Sequence, residues 1–165
     1  MDYFDATLVQ ELKTHRPVLA NAYANCKDKH VGFKRCGEYL LGLQLPTKDE
    51  DSNLIRVVKD RKYAKYRARF VTVEFIYDIN RKTLVKQIDH RWYNFGGWRT
   101  NITYTTGQIN FPDTYDSSLE VCSHGIHFYL SLEAAICHSL NYWNDHGKKV
   151  EFDVPTDVQS IAKYV

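Results

Sequence analysis

Apolar and polar residues alternate along several short stretches of the chain, and this alternation predicts β-strands. The pattern over residues 39–45 is typical of a strand, which Pro46 ends. Residues 79–82 favour a hairpin turn into a further strand over residues 83–88. The clearest strand covers residues 70–77, with four apolar residues expected on one face: Val71, Val73, Phe75 and Tyr77.

The first 30 residues have helical spacing instead. Leu8 and Leu12 are four positions apart, and Pro17 suits the first turn of a second helix. We therefore expect an N-terminal helical segment over residues 1–30, followed by an α+β domain over residues 31–165.

The last third of the chain mixes strands with one helix. A buried strand is expected over residues 126–130, and Ser131 suits the N-cap of a helix that ends near Gly147. Two more strands are expected over residues 150–154 and 158–164.

Residues 89–118 contain scattered aromatic residues and glycines, which favour a loop-rich segment with one short strand over residues 102–104. The predicted fold class is a single α+β domain with N-terminal helices. Its sheet is expected to be mainly antiparallel, with one helix after the Gly-Ile-His-Phe strand.

Composition excludes a disordered chain, because 44% of the residues are hydrophobic and 25% are charged. The stretch over residues 121–132 is too short to span a bilayer, and the first residues do not resemble a signal peptide, so no membrane association is expected. Four cysteines without C-x-x-C spacing favour reduced thiols in an intracellular protein. The net charge of +2 does not by itself indicate nucleic acid, but 14% aromatic residues favour a sheet-rich domain with adhesive surfaces.

One dense basic stretch stands out, and tyrosines interrupt it. Lys65, Arg67 and Arg69 share strand parity, with Tyr63 nearby, so one face would present three cations and an aromatic ring. This combination suits a phosphate or a single-stranded nucleic acid. The alternative is a solvated strand face paired with acids such as Glu74.

Two tryptophans flank a pair of glycines. Trp92 and Trp98, around Gly96-Gly97, could form an aromatic clamp for a base or a proline-rich peptide. The alternative is a loop that folds over the core with its rings inward.

Cysteines and histidines gather over residues 122–138, but their spacing matches no standard zinc site, so no metal is expected. Cys122 and His127 could act as nucleophile and base only with a third, orienting group, so no catalytic residue is assigned. His127 is a candidate binding residue. The alternative is a core histidine with a fixed tautomer, held by a backbone carbonyl or by a neighbour such as Tyr66, Asp113 or Glu120.

The run Gly125-Ile126-His127-Phe128, three positions after Cys122 and before a helix with Glu133-Ala134, resembles a domain of unknown function in mimivirus-like giant viruses. That family often accompanies pentapeptide repeats and has a similar Cys-x-x-Gly-Ile-His-Phe-Phe run. The resemblance covers about residues 32–154, including the segments 32–36, 63–69 and 104–109, but not residues 92–98.

Two further resemblances concern shorter segments. Residues 155–161 are similar to the end of the rapid-lysis B-type proteins of T-even phages. The Gly-Ile-His-Phe strand is loosely similar to the Gly-Ile-Tyr-Phe strand of ADP-ribosyltransferases, with His127 in place of the tyrosine and no clear upstream His-Gly-Thr or catalytic Glu.

Together these resemblances imply a virus-encoded binding or accessory domain that acts in the host cytoplasm or the virion interior. We expect it to recognise a protein or RNA partner of virus or host, without catalysis and without a cofactor. The alternative is an ADP-ribosyltransferase-like or other nucleotide-handling enzyme with a cleft near His127 and Arg67. The sequence leaves the oligomeric state open.

Overall fold

The computed structural model describes residues 3–93, 99–112, 114–120, 123–138 and 165. Within these residues, two helices come first, followed by nine strands and a third helix. A 3-10 turn, Asp49–Asp51, lies in the connection after the second strand. In chain order the elements are α1 Ala6–His15, α2 Pro17–Ala24, β1 Val31–Cys36, β2 Tyr39–Gln44, β3 Lys65–Ala68, β4 Val71–Asp78, β5 Thr83–Leu84, β6 Gln87–Tyr93, β7 Arg99–Thr105, β8 Ile109–Asn110, β9 Ile126–Tyr129 and α3 Leu132–His138.

Seven of the strands form one sheet in the order β3-β9-β1-β2-β4-β5, and β8 also pairs with β4. β6 and β7 pair with each other as a separate two-stranded ribbon. All of these pairs are antiparallel, and the helices are few, so the predicted α+β class is confirmed.

Each face of the sheet has its own apolar core. Phe33 of β1 packs with apolar residues of all three helices, including Leu8 and Tyr23. Cys36, on the opposite face of β1, packs with the core that the ribbon covers through Ile102 and its neighbours. The sheet is therefore the middle layer, between helices and ribbon.

The helices begin as their sequences predict. Asp5 caps α1 by accepting a hydrogen bond from the backbone N–H of Leu8 at 3.1 Å, and Pro17 occupies the first turn of α2. Ser131 caps α3, because its hydroxyl oxygen accepts from the backbone N–H of Ala134 at 3.1 Å. None of the helices in the described ranges is long and apolar enough to cross a bilayer.

The strand over residues 70–77 exists, but its apolar residues do not share one face. Gly42 of β2 pairs with Phe75, whereas the next residue, Leu43, pairs with Val73, so Glu74 is an extra residue in β4. Such a bulge exchanges the faces of the sheet on which the subsequent side chains of the strand lie. Val71 and Val73 therefore enter the core under the ribbon, while Phe75 and Tyr77 enter the core under the helices.

Two other predictions were wrong, and one strand was not predicted. Residues 89–118 are not mainly loop, because most of the ribbon and all of β8 lie there. The strand expected over residues 83–88 is divided between β5 and the start of β6. β1 was missed because Lys34 and Arg35 interrupt its apolar pattern, although Lys34 is buried. The strands expected over residues 150–154 and 158–164, and the helix beyond His138, lie outside the described residues.

Candidate nucleic-acid interface

Positive charge is concentrated between residues 56 and 69, which include seven basic residues and a single acid, Asp60. Because the whole chain has 22 basic and 20 acidic residues, the other positions carry 15 basic and 19 acidic ones. The modest net charge therefore conceals a strongly basic segment on an otherwise slightly acidic protein.

This basic segment includes β3, which lies at one edge of the sheet. On its inner side, β3 pairs with β9 and places Arg67 opposite His127. On its outer side, the backbone N–H of Asn53 donates to the Arg67 carbonyl at 3.0 Å, and the Asn53 side-chain oxygen accepts from the Arg67 N–H at 2.7 Å. Ser52 also forms a bridge with Ala68. The preceding loop thus closes the edge of the sheet.

Arg67 does not face solvent. Its side chain is completely buried, and its five N–H groups donate to backbone carbonyls of a later loop. The acceptors are Asp116 at 2.8 Å, Ser118 at 3.0 Å, Glu120 at 2.9 and 2.7 Å, and His124 at 2.8 Å. A guanidinium has five donors, so this one is saturated and fixes residues 116–120 and 123–124 against β3.

The other predicted residues of this strand are more accessible. Arg69 is exposed, forms an ion pair with Asp51 (Nε to Oδ1, 3.1 Å), and lies 5.0 Å from the ring centroid of Tyr115. Lys65 is half-buried. His127 as a residue is half-buried, although its Nε2 atom is inaccessible, and its carbonyl accepts from Lys34 Nζ at 3.1 Å.

Two arginines lie near the buried ring of Tyr66, an arrangement that the sequence did not predict. The guanidinium carbons of Arg56 and Arg61 lie 5.2 and 5.4 Å from the ring centroid. Arg56 donates to the carbonyl of Lys65, and Arg61 donates to the carbonyl of Leu54 at 2.8 Å. Only the folding of the loop over residues 54–62 brings these groups together, so spacing along the chain gives no direct signal for them.

Further contacts fix the position of this loop. Lys62 Nζ forms a 3.0 Å ion pair with Glu133, and the Lys62 carbonyl accepts from the hydroxyl of Ser131 at 2.8 Å. The loop also exposes two apolar side chains, because Ile55 is 58% and Val57 is 97% accessible. The interface therefore combines exposed cations with exposed apolar groups.

An aromatic pair continues the interface beyond β3. The rings of Phe70 and Phe111 lie 5.9 Å apart, and Phe111 is 65% exposed.

The aromatic clamp expected from Trp92 and Trp98 is a separate matter. Trp92 is in β6, whereas Trp98 lies outside the described residues, so the clamp stays a prediction.

A second polar cluster lies between the sheet and the ribbon. Burial lowers the pKa of Lys34, and burial together with the Lys34 charge lowers the pKa of His90 to about 4. Burial raises the pKa of Cys36 to about 11 and raises that of Tyr104 as well. These surroundings favour a neutral thiol, phenol and imidazole near neutral pH, and so they provide no thiolate nucleophile.

Other kinds of site have little support in the described part of the chain. No group of three or more His, Cys, Asp or Glu residues there is arranged to hold a metal ion. A shallow cavity of about 420 Å³ follows β4 and β5 beside Glu74 and Leu84, and none of the predicted binding residues lines it.

Comparison with known proteins places the chain in a family without assigning it an activity. No curated protein and no solved structure matches it. One family model, described as a family of unknown function (DUF5758), matches residues 20–135, which is more than half of the chain. The match includes β3, the basic segment, the loop that Arg67 holds and the Gly-Ile-His-Phe strand. The chain therefore belongs to the DUF5758 family.

Proposed function

We propose that this protein is a binding domain for single-stranded RNA. The observation that carries the proposal is the basic segment, where seven of the 22 basic residues fall within residues 56–69 together with two tyrosines, Tyr63 and Tyr66. Proteins that bind single strands combine cations along the phosphate backbone with rings on which bases stack.

The exposed members of this surface suit both tasks. Lys59, Arg61 and Arg69 are exposed and would contact phosphates. Phe111, with its ring against Phe70, would be a stacking platform for a base. Lys65 and His127, which are half-buried, would line the inner side of the path, while Arg67 would act indirectly by fixing residues 116–120 and 123–124.

A binding role without catalysis is part of the proposal. It is supported by the raised pKa values of Cys26, Cys36 and Cys137, each about 11, which leave these thiols protonated near neutral pH. The resemblance to giant-virus domains supports a virus-encoded protein that acts in the host cytoplasm or the virion interior.

Fluorescence anisotropy with a short labelled RNA, measured over a range of salt concentrations, tests the proposal. The logarithm of the affinity should fall linearly with the logarithm of salt concentration, by roughly 0.7 per phosphate contacted. The double variant Lys59→Ala/Arg69→Ala should reduce that slope, whereas the matched double variant Arg81→Ala/Lys86→Ala, on exposed cations elsewhere, should not. Binding that is undetectable in low salt, or insensitive to salt, would overturn the proposal.

Stacking can be tested separately. Phe111→Ala should weaken RNA binding by about 1–3 kcal/mol, the usual value of one stacked base. Ile109→Ala is the control, because Ile109 lies in β8, two residues before Phe111, and is 58% exposed but has no aromatic ring.

A protein partner is the second candidate, and the exposure of Ile55 and Val57 favours it. In that case Val57→Glu would abolish binding while Lys59→Ala would leave it nearly unchanged. The enzymatic alternative, a nucleotide-handling site near His127 and Arg67, requires NAD binding; no heat signal at millimolar NAD in calorimetry would remove it.

A further inference from the structure

The hydroxyl of Tyr66, like that of Tyr104, is a buried polar group that lacks a hydrogen-bond partner within the described residues. Tyr66 is completely buried in β3, with its ring stacked on Phe128 at 5.9 Å. Its hydroxyl oxygen is inaccessible and has no hydrogen-bond partner within the described residues. Buried polar groups are nearly always satisfied in folded proteins, so an unsatisfied one requires an explanation, and a bound ligand or an ordered water molecule supplies one.

Two cations lie near the ring that carries this hydroxyl. Arg56 and Arg61 have their guanidinium carbons within 5.4 Å of the Tyr66 ring centroid. Their charges act on the phenol, where they oppose the rise in its pKa that burial causes. Asp60 is also within electrostatic range of the phenol, but its carboxylate accepts a hydrogen bond from the backbone N–H of Lys62 at 3.0 Å.

Backbone contacts hold both arginines in place. Arg56 donates to the Lys65 carbonyl and Arg61 to the Leu54 carbonyl. Each of these bonds uses one Nη atom, and Arg61 has no carboxylate partner among the described residues. Arg61 is also the exposed member of the pair, so its side chain is the one that can shift to admit a ligand to the hydroxyl.

We propose that Arg56, Arg61 and the Tyr66 hydroxyl form a binding site for a phosphate group. Guanidinium groups match the geometry of tetrahedral phosphate oxygens, and a phenol supplies a further donor. The two like charges beside one ring are stabilised when an anion lies between them. This proposal rests on the proposed function in one respect: the phosphate is that of the RNA backbone.

Four proteins test the site: the parent, Tyr66→Phe, Arg61→Lys and the control Arg81→Ala. Tyr66→Phe keeps the ring and its packing but removes the hydroxyl, and Arg61→Lys keeps the charge but loses the planar group of donors. Each is titrated with inorganic phosphate by NMR, with sodium chloride as the reference salt, and with the labelled RNA. Thermal melting of each variant confirms that it is folded.

We expect Tyr66→Phe and Arg61→Lys to weaken phosphate and RNA binding by about tenfold each, a change equal to about 1.4 kcal/mol, while Arg81→Ala binds like the parent. Tyr66→Phe should melt at or above the temperature of the parent, because it removes an unsatisfied buried group. A site that merely attracts anions by charge would leave Arg61→Lys unchanged.

The results separate the two proposals. If RNA binds the parent and both site variants equally, the phosphate site is wrong and the RNA-binding proposal stands. If inorganic phosphate binds in a manner that needs the Tyr66 hydroxyl but RNA does not bind, the site stands as one for a free phosphate or small phosphate ester, and the RNA-binding proposal fails. If neither ligand binds the parent, both fail.

Discussion

Arg67 and Glu120 are 53 positions apart in the chain, yet the guanidinium of Arg67 donates from Nε at 2.9 Å and from Nη2 at 2.7 Å to the same Glu120 carbonyl oxygen. With the bonds of Arg67 to three other carbonyls, this pair fixes residues 116–120 and 123–124 on the edge of the sheet. The sequence suggested Arg67 as a ligand-binding cation, but in the fold its guanidinium binds backbone carbonyls of the same chain.

Replacing Arg67 should therefore be severely destabilising. Arg67→Met removes all five donors and leaves buried carbonyls unsatisfied, so we expect a loss of about 3–5 kcal/mol in the free energy of unfolding. Arg69→Ala is the control, because its side chain is 47% exposed and an exposed ion pair contributes at most about 1 kcal/mol. Urea unfolding measures both. A loss below about 1 kcal/mol for Arg67→Met would contradict the structural role.

Acid should destabilise the fold through His90. Its pKa is lowered to about 4 in the folded state, below the ordinary value near 6.5, because burial and the Lys34 charge disfavour the imidazolium. Above pH 6.5 both states are neutral and His90 has no effect. As the pH falls from 6.5 to 4, the unfolded chain binds a proton that the folded chain does not, so stability decreases, by up to about 3 kcal/mol.

Chemical denaturation at pH 7 and at pH 4.5 measures this effect. The parent should lose more stability between these two values than His90→Leu does, since carboxylates contribute equally to both proteins. Equal losses in the two proteins would show that His90 titrates normally.

Gly42 should not tolerate a side chain. A Cβ atom at this position would lie 2.3 Å from Cε1 of Phe75, closer than real Cβ contacts permit. We expect Gly42→Ala to lower the melting temperature by several degrees, corresponding to about 1–3 kcal/mol of overpacking. Gln44→Ala, at an exposed position of the same strand, is the control. A parent-like melt of Gly42→Ala would mean that Phe75 has room to move.

Thiol labelling tests the packing of both cores. Cys26, Cys36 and Cys137 are buried, with pKa values raised by burial to about 11, so they should react slowly with a disulfide reagent at pH 8 in the folded protein. At most one of the four cysteines, Cys122, should react rapidly, and none should do so in Cys122→Ser. All thiols should react once urea is added. Two fast thiols in the native parent would contradict the prediction.

The sequence predicted local elements well and long-range contacts poorly, for physical reasons. Alternation of apolar and polar residues revealed β2 and β4. The extra residue in β4, Glu74, changes the face of the sheet that Phe75 occupies. Alternation along the sequence predicts faces correctly only where the strand has no such bulge. The ribbon was predicted only in part, as a short strand over residues 102–104 within β7, because its inward positions include His90 and Tyr104 as well as aliphatic residues.

The basic segment was visible as composition, but the burial of its members was not. Parity groups Lys65, Arg67 and Arg69 on one side of a strand, yet only the later loop determines that the middle one is covered. Likewise, Arg56 lies near Tyr66 because the loop over residues 54–62 folds back onto β3. The spacing of the two residues along the chain does not predict this contact.

The bulge in β4 has a consequence for how the protein unfolds. β4 contributes Val73 to the core beneath the ribbon and Phe75 to the core beneath the helices. Displacement of either layer would therefore disturb the packing of the other. The two cores are thereby coupled through a single stretch of backbone, and we expect the molecule to lose its helical and ribbon layers in one cooperative transition rather than in stages.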